Sequence, residues 1–133
     1  MPGYAIAYGA AAAVFFAVDM VWLGLVARGL YRDRLGALLL DQPNLWAAGA
    51  FYVIYVVGIV VLCIHPALQT GTWRTACLGG AVLGLAAYGA YDLTNLATLR
   101  GWPVGLAGID IAWGVFLTAL SATAGYAAAR HFA

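Results

Sequence analysis

The sequence predicts an all-α membrane protein: an antiparallel bundle of four transmembrane helices, with a short interfacial helix between spans 1 and 2. Two observations carry this. Of 133 residues, 65% are hydrophobic and only 8% charged, where a soluble domain carries roughly a quarter charged residues. Charged or proline-bearing breaks also cut the chain into four apolar stretches, each near the roughly 20 residues that a helix needs to cross a bilayer. A soluble fold of this size would need polar faces on its helices, and these stretches offer none. The same apolar excess excludes a disordered chain. The chain therefore reads as a single four-helix transmembrane domain over residues 1–133.

The spans fall near residues 4–27, 45–64, 75–99 and 104–127. Met1-Pro2-Gly3-Tyr4 lacks the basic region of a signal peptide, and the apolar run after it is too long for one, so the first stretch reads as a retained span. The link over residues 28–44 mixes Arg28, Arg32, Asp33, Arg34 and Asp41 with Leu30, Leu35, Leu38 and Leu39, then stops at Pro43. That pattern suits a helix lying in the membrane interface. The third link, Arg100-Gly101-Trp102-Pro103, is a tight turn, which makes its neighbours antiparallel.

All six basic residues are arginines, and no basic stripe exists to hold a nucleic acid. Arg28, Arg32, Arg34 and Arg100 fall on one side of the membrane, Arg74 and Arg130 on the other. The positive-inside bias puts the first side in the cytoplasm and both termini outside. Trp46, Trp73 and Trp102 sit at span ends, where indoles anchor in the headgroup layer.

Asp19, Asp92 and Asp110 lie within spans. A carboxylate at the centre of a membrane helix costs about 2.5–3.5 kcal/mol even on the milder insertion scale, so three of them need a reason. Asp19 is nine positions before Arg28, Asp92 eight before Arg100, and Asp110 seven after Pro103. At 1.5 Å per residue each lies roughly 10–14 Å below the same surface. The helices alternate in direction, so sequence spacing does not force this agreement. One polar layer is expected.

Other side chains join that layer. Tyr88, Asp92, Asn95 and Leu99 recur at helical spacing on the third span. Tyr52 and Tyr55, seven and ten positions after Leu45, bring two hydroxyls from the second span to a similar level. Asp19-Met20-Val21-Trp22 and Asp110-Ile111-Ala112-Trp113 each pair a carboxyl with an indole one turn away. No Arg, Lys or His lies in the spans near these acids. The three carboxyls are then expected to titrate as one coupled unit, with a member neutral near pH 7 or a bound cation in compensation.

A plainer reading stands beside this one: protonated Asp, Asn and Trp can bond across helices and simply hold the bundle together. Gly79, Gly80, Gly84, Gly89, Gly105, Gly108 and Gly114 are read as close helix contacts rather than ligand contacts. Cys63 and Cys77 fit no zinc motif and read as inert thiols in preference to a disulfide. His65, before Pro66, reads as a turn residue rather than a metal ligand, and His131 has no assigned partner.

The string Tyr91-Asp92-Leu93-Thr94-Asn95-Leu96-Ala97-Thr98-Leu99-Arg100-Gly101-Trp102-Pro103 resembles a family of small bacterial membrane proteins of unknown function. The resemblance covers nearly the whole chain, with Asp19 and residues 110–113 in flanking motifs. It implies a four-span protein of the bacterial inner membrane. It assigns no activity or cofactor to any position.

From the residues, the leading expectation is an intramembrane pocket open to the cytoplasmic leaflet that binds a lipid-like amphiphile or acts on it by acid-base chemistry. Asp19, Asp92 and Asp110 would be its catalytic acids and bases, a neutral carboxyl beside an ionised one being suited to proton transfer. Trp22, Tyr52, Tyr55, Tyr88, Asn95 and Trp113 would contact the substrate, with the interfacial segment over the entrance. Membrane lipid is the expected partner; no cofactor is expected, and no compact carboxylate array points to a metal. The alternatives are a small dimeric carrier coupled to protons or cations through the same aspartates, and a structural or partner subunit. The outer halves of the spans look uniformly apolar, which favours a one-sided pocket over a conduit.

Overall fold

A computed structural model describes residues 2–27, 29, 33, 35, 36 and 44–132. The interfacial helix expected over residues 28–44 lies almost wholly outside the described residues, as do Arg28, Arg32 and Arg34. Among the described residues there are four helices long and apolar enough to cross a membrane, and no strand. Helix α1 is Pro2–Val21, continued by a wider π-helical turn at Trp22–Ala27. Helix α2 is Leu45–Thr70, α3 is Trp73–Thr98 and α4 is Val104–Phe132.

The ends follow from local chemistry. Asn44 caps α2 by accepting the Ala47 N–H at 3.2 Å, and Thr72 caps α3 by accepting that of Arg74 at 3.3 Å. Between α2 and α3 the chain reverses at Gly71, whose φ of 76° favours glycine. Gly101, at φ 77°, does the same between α3 and α4, and Pro103 hands its carbonyl to the Ala107 N–H at 3.1 Å as α4 begins.

One boundary differs from the sequence expectation. The break at His65-Pro66 does not end the second span, which runs on to Thr70. Proline lacks an N–H and crowds the carbonyl four residues back. Here a π-helical stretch, Val60–Ile64, precedes it and widens the turn, while Pro66 falls in the first turn of the segment that follows, where its missing donor matters least.

Helix α4 is central and packs along both α3 and α1. Close approach to α3 rests on glycine: a Cβ on Gly80 would come within 2.8 Å of the Ala119 Cα, and one on Gly84 would collide with the Gly114 carbonyl. Gly125 plays the same part towards α1 and α2, a Cβ there standing 2.9 Å from the Ala7 carbonyl. Gly108, by contrast, has open space around it. The half of the bundle away from Arg100 is thereby closed, with Ala7, Ala11, Ile59, Ile64, Ala76 and Ala122 fully buried.

The other half is looser. The first part of α2 leans mainly on α1, and Leu45, Trp46 and Ile54 point away from the bundle at 70–91% exposure. Lipid can cover these side chains, and their outward aim leaves space near the Arg100 end of the bundle.

Candidate functional site

That space is a partly open cavity of about 390 Å³, bordered by all four helices. Helix α1 contributes Asp19, Trp22 and Leu23, and α2 contributes Phe51. Helix α3 adds Ala87, Tyr88 and Tyr91, and α4 adds Asp110 and Trp113. The π-helical turn of α1 begins at Trp22, on the cavity wall; such turns recur where a helix departs from regular packing to build a site.

Asp19 is held from two sides. It is 7% exposed, and each of its oxygens accepts a hydrogen bond from a different helix. The Tyr52 hydroxyl of α2 donates to Oδ2, and the Trp113 indole of α4 donates to Oδ1 at 3.1 Å. Trp113 lies flat on Trp22, their ring centroids 4.4 Å apart and their planes within 10°. Carboxyl and indoles therefore form one preorganised unit across α1 and α4. Tyr52 meets Asp19 from behind: its ring packs edge-on against Phe15 at 5.3 Å and borders a separate groove of about 130 Å³ with Tyr8 and Phe16.

Asp110, which also lines the cavity, is 9% exposed and stands in front of Asp92. Asp92 is 1% exposed and lies between the Asp110 carboxyl and the Trp102 indole, yet neither of its oxygens completes a hydrogen bond among the described residues. The indole N–H of Trp102 is likewise buried without an acceptor. A buried carboxyl so placed calls for an explanation, because desolvating it without a partner is costly. The Tyr88 ring sits on Gly114, where any Cβ would overlap it, and its phenol is within electrostatic reach of Asp19, Tyr55 and Asp110. Tyr55 itself is buried and bonds Thr118 at 2.7 Å, across α2 and α4.

The structure thus brings Asp19, Asp110, Trp22, Tyr88 and Trp113 to one cavity. It places four other sequence candidates elsewhere: Asp92 behind Asp110, Tyr52 behind Asp19, Tyr55 in the core, and Asn95 half-buried one turn nearer the Arg100 end. Leu23, Phe51, Ala87 and Tyr91 line the cavity without having been singled out by sequence. They are ordinary apolar or aromatic residues of membrane helices, and only Tyr91, adjacent to Asp92, had a local signal.

Among the described residues no group of three or more His, Cys, Asp or Glu gathers closely enough to hold a metal ion. Cys63 and Cys77 are both free thiols. His65 has a specific role that the sequence did not suggest: its Nδ1 pairs with the Tyr4 hydroxyl, joining the far ends of α1 and α2. Nearby, Arg130 donates to the Tyr126 hydroxyl at 2.9 Å and lies against Gly71, so the C-terminal end of α4 closes over the α2–α3 turn.

Chemically, the cavity combines apolar walls with two carboxyls and a phenol that line it together. Such a site can hold an apolar chain, orient a polar end and exchange a proton with it. No curated protein and no solved structure matches the chain. Residues 4–127 match the family described as Predicted membrane protein (DUF2177), and the chain, a multi-pass membrane protein, belongs to that family.

Proposed function

We propose that the protein binds a lipid-like amphiphile in the cavity between its four helices, with Asp19 and Asp110 facing the polar end of the ligand. The observation that carries this reading is the cavity itself: about 390 Å³, lined by the carboxyls of Asp19 and Asp110 at the end of the bundle marked by Arg100. Its volume falls within the roughly 300–1,000 Å³ typical of small-molecule sites. The far half is closed by alanine and glycine packing, which supports a pocket reached from one leaflet over a path through the membrane. On the positive-inside bias that leaflet is the cytoplasmic one, in the inner membrane of a bacterium, with both termini outside.

In this reading the acids divide the work. Asp19, its oxygens fixed by Tyr52 and Trp113, is the oriented acceptor. Asp110, with Asp92 behind it, is the second polar group offered to the ligand. Native mass spectrometry of the full chain tests the pocket. Wild type is expected to carry a bound amphiphile, and Ala87→Trp, which fills the cavity while leaving every carboxyl in place, is expected to lose it. Equal occupancy in the two chains would refute the assignment.

A further inference from the structure

The packing around the cavity also shows where its occupant comes from, an inference that rests on the pocket reading above. Helix α4 packs along α1 and α3, and the first part of α2 leans on α1, but that part does not pack comparably along α3. Tyr55 and Tyr88 are where side chains of α2 and α3 meet, their ring centroids 6.3 Å apart, with Tyr55 bonded to Thr118 and Tyr88 seated on Gly114. One turn nearer the Arg100 end the two helices part. Phe51 stacks on Tyr55 of its own helix at 5.1 Å, while Tyr91 meets Trp102 edge-on at 5.7 Å, and the Phe51 and Tyr91 rings do not meet each other. Both line the cavity, yet they are 44% and 55% exposed. They stand on the two edges of a slit that opens the cavity sideways.

Depth says what lies outside that slit. Phe51 is six positions after Leu45 and Tyr91 nine before Arg100, which puts them roughly 9–14 Å along their helices from that end. The headgroup layer is only about 5–8 Å thick on each side, so the slit faces hydrocarbon. Size gives a second, independent reason for an opening of this kind. A volume of about 390 Å³ is near the lower end for small-molecule sites, and a lipid with acyl chains of ordinary length does not fit inside it whole. Its chains must pass out somewhere. Drawing them through water is costly for every methylene, whereas leaving them in the leaflet exchanges one apolar surrounding for another.

We propose that the ligand is a lipid resident in the bilayer, which slides in between α2 and α3 so that its polar end enters the cavity while its chains stay in the leaflet. Phe51 and Tyr91 are the posts of this lateral entrance.

The experiment fences the slit and follows lipid exchange. The full chain carries Cys63→Ala and Cys77→Ala together with Ala47→Cys on α2 and Thr94→Cys on α3. These two positions are exposed, stand one turn from Phe51 and Tyr91 towards the Arg100 end, and do not line the cavity. In one sample a flexible bis-maleimide bridges the thiols; in the other N-ethylmaleimide caps them singly. Both are placed in vesicles of total polar lipid from bacteria grown on deuterium, and native mass spectrometry follows replacement of the light lipid each brought with it. The capped chain should exchange, and the bridged chain should retain its light lipid with exchange slowed at least about tenfold, since the path left to an acyl chain runs through water. Equal exchange in the two samples, or loss of the light lipid as the bridge closes, overturns lateral entry and leaves the pocket standing. Thiols that no flexible bis-maleimide can bridge also overturn it, because the two helix faces then do not flank one slit. A capped chain and a wild type that both carry no lipid overturn the pocket itself.

Discussion

The Trp113 indole donates to Asp19 Oδ1 at 3.1 Å, joining the last helix to the first across 94 positions of sequence. The other oxygen of the same carboxyl accepts from Tyr52, so one acid ties together α1, α2 and α4. Trp113→Phe keeps the ring on Trp22 and removes only the donor. Interhelical hydrogen bonds in membranes are modest, so the expected loss is about 0.5–2 kcal/mol, as is that for Tyr52→Phe. The double variant should lose more than the sum, because Asp19 is then left with no donor. A double-mutant cycle on unfolding in mixed micelles measures this, and strict additivity would show that the two bonds act independently.

Helix α4 can approach α3 only where glycine lets it. Gly84→Ala places a methyl group against the Gly114 carbonyl and should destabilise the bundle by about 1–3 kcal/mol, since the backbones must separate. Gly108→Ala, in open space, should be neutral or slightly stabilising. Unfolding midpoints of the two variants, measured side by side, decide the matter. A similar cost at both positions would contradict the packing described.

Asp92 should be retained at the expense of stability. Asp92→Asn removes a buried carboxyl without changing the shape of the side chain, and its amide can donate to Asp110. The variant is expected to be more stable than wild type by about 1 kcal/mol while holding its amphiphile more weakly. Thermal unfolding reads the first effect and native mass spectrometry of the bound amphiphile the second. A variant that is less stable and binds unchanged would make Asp92 a structural residue.

The positive-inside bias gives the fold a direction. A reporter fused after Ala133 should be active on the outer side of the membrane, and one inserted at Gly101 on the cytoplasmic side. The opposite pattern would turn the cavity towards the outer leaflet.

Hydropathy located all four spans because lipid demands long apolar runs, and depth counting placed Asp19 and Asp110 at one level because a helix rises by a fixed amount per residue. Two features escaped it. A proline normally marks a boundary, so continuation through Pro66 depended on a π-helical stretch that has no periodic signature. Rotation about the helix axis was also unseen. Tyr52 and Asp92 lie beside Asp19 and Asp110 but turn to the back of these acidic neighbours, and Phe51 takes the place on the cavity wall that its neighbour Tyr52 was expected to fill. Depth follows from counting, whereas facing depends on how the first half of α2 leans on α1, which no local pattern encodes. Glycine packing was legible in kind, yet Gly108 proved free and Gly125, not singled out beforehand, is tightly enclosed.

The account turns on a pocket that opens at one end only, and thiol labelling tests this most directly. Ala87→Cys puts a thiol on the cavity wall in a chain whose own Cys63 and Cys77 are replaced by alanine. In sealed vesicles, a membrane-impermeant maleimide should reach this cysteine only from the side carrying Arg100, and an added single-chain amphiphile should slow the reaction. Labelling from the side of Arg74 and Arg130, or labelling indifferent to the amphiphile, would contradict a one-sided amphiphile pocket.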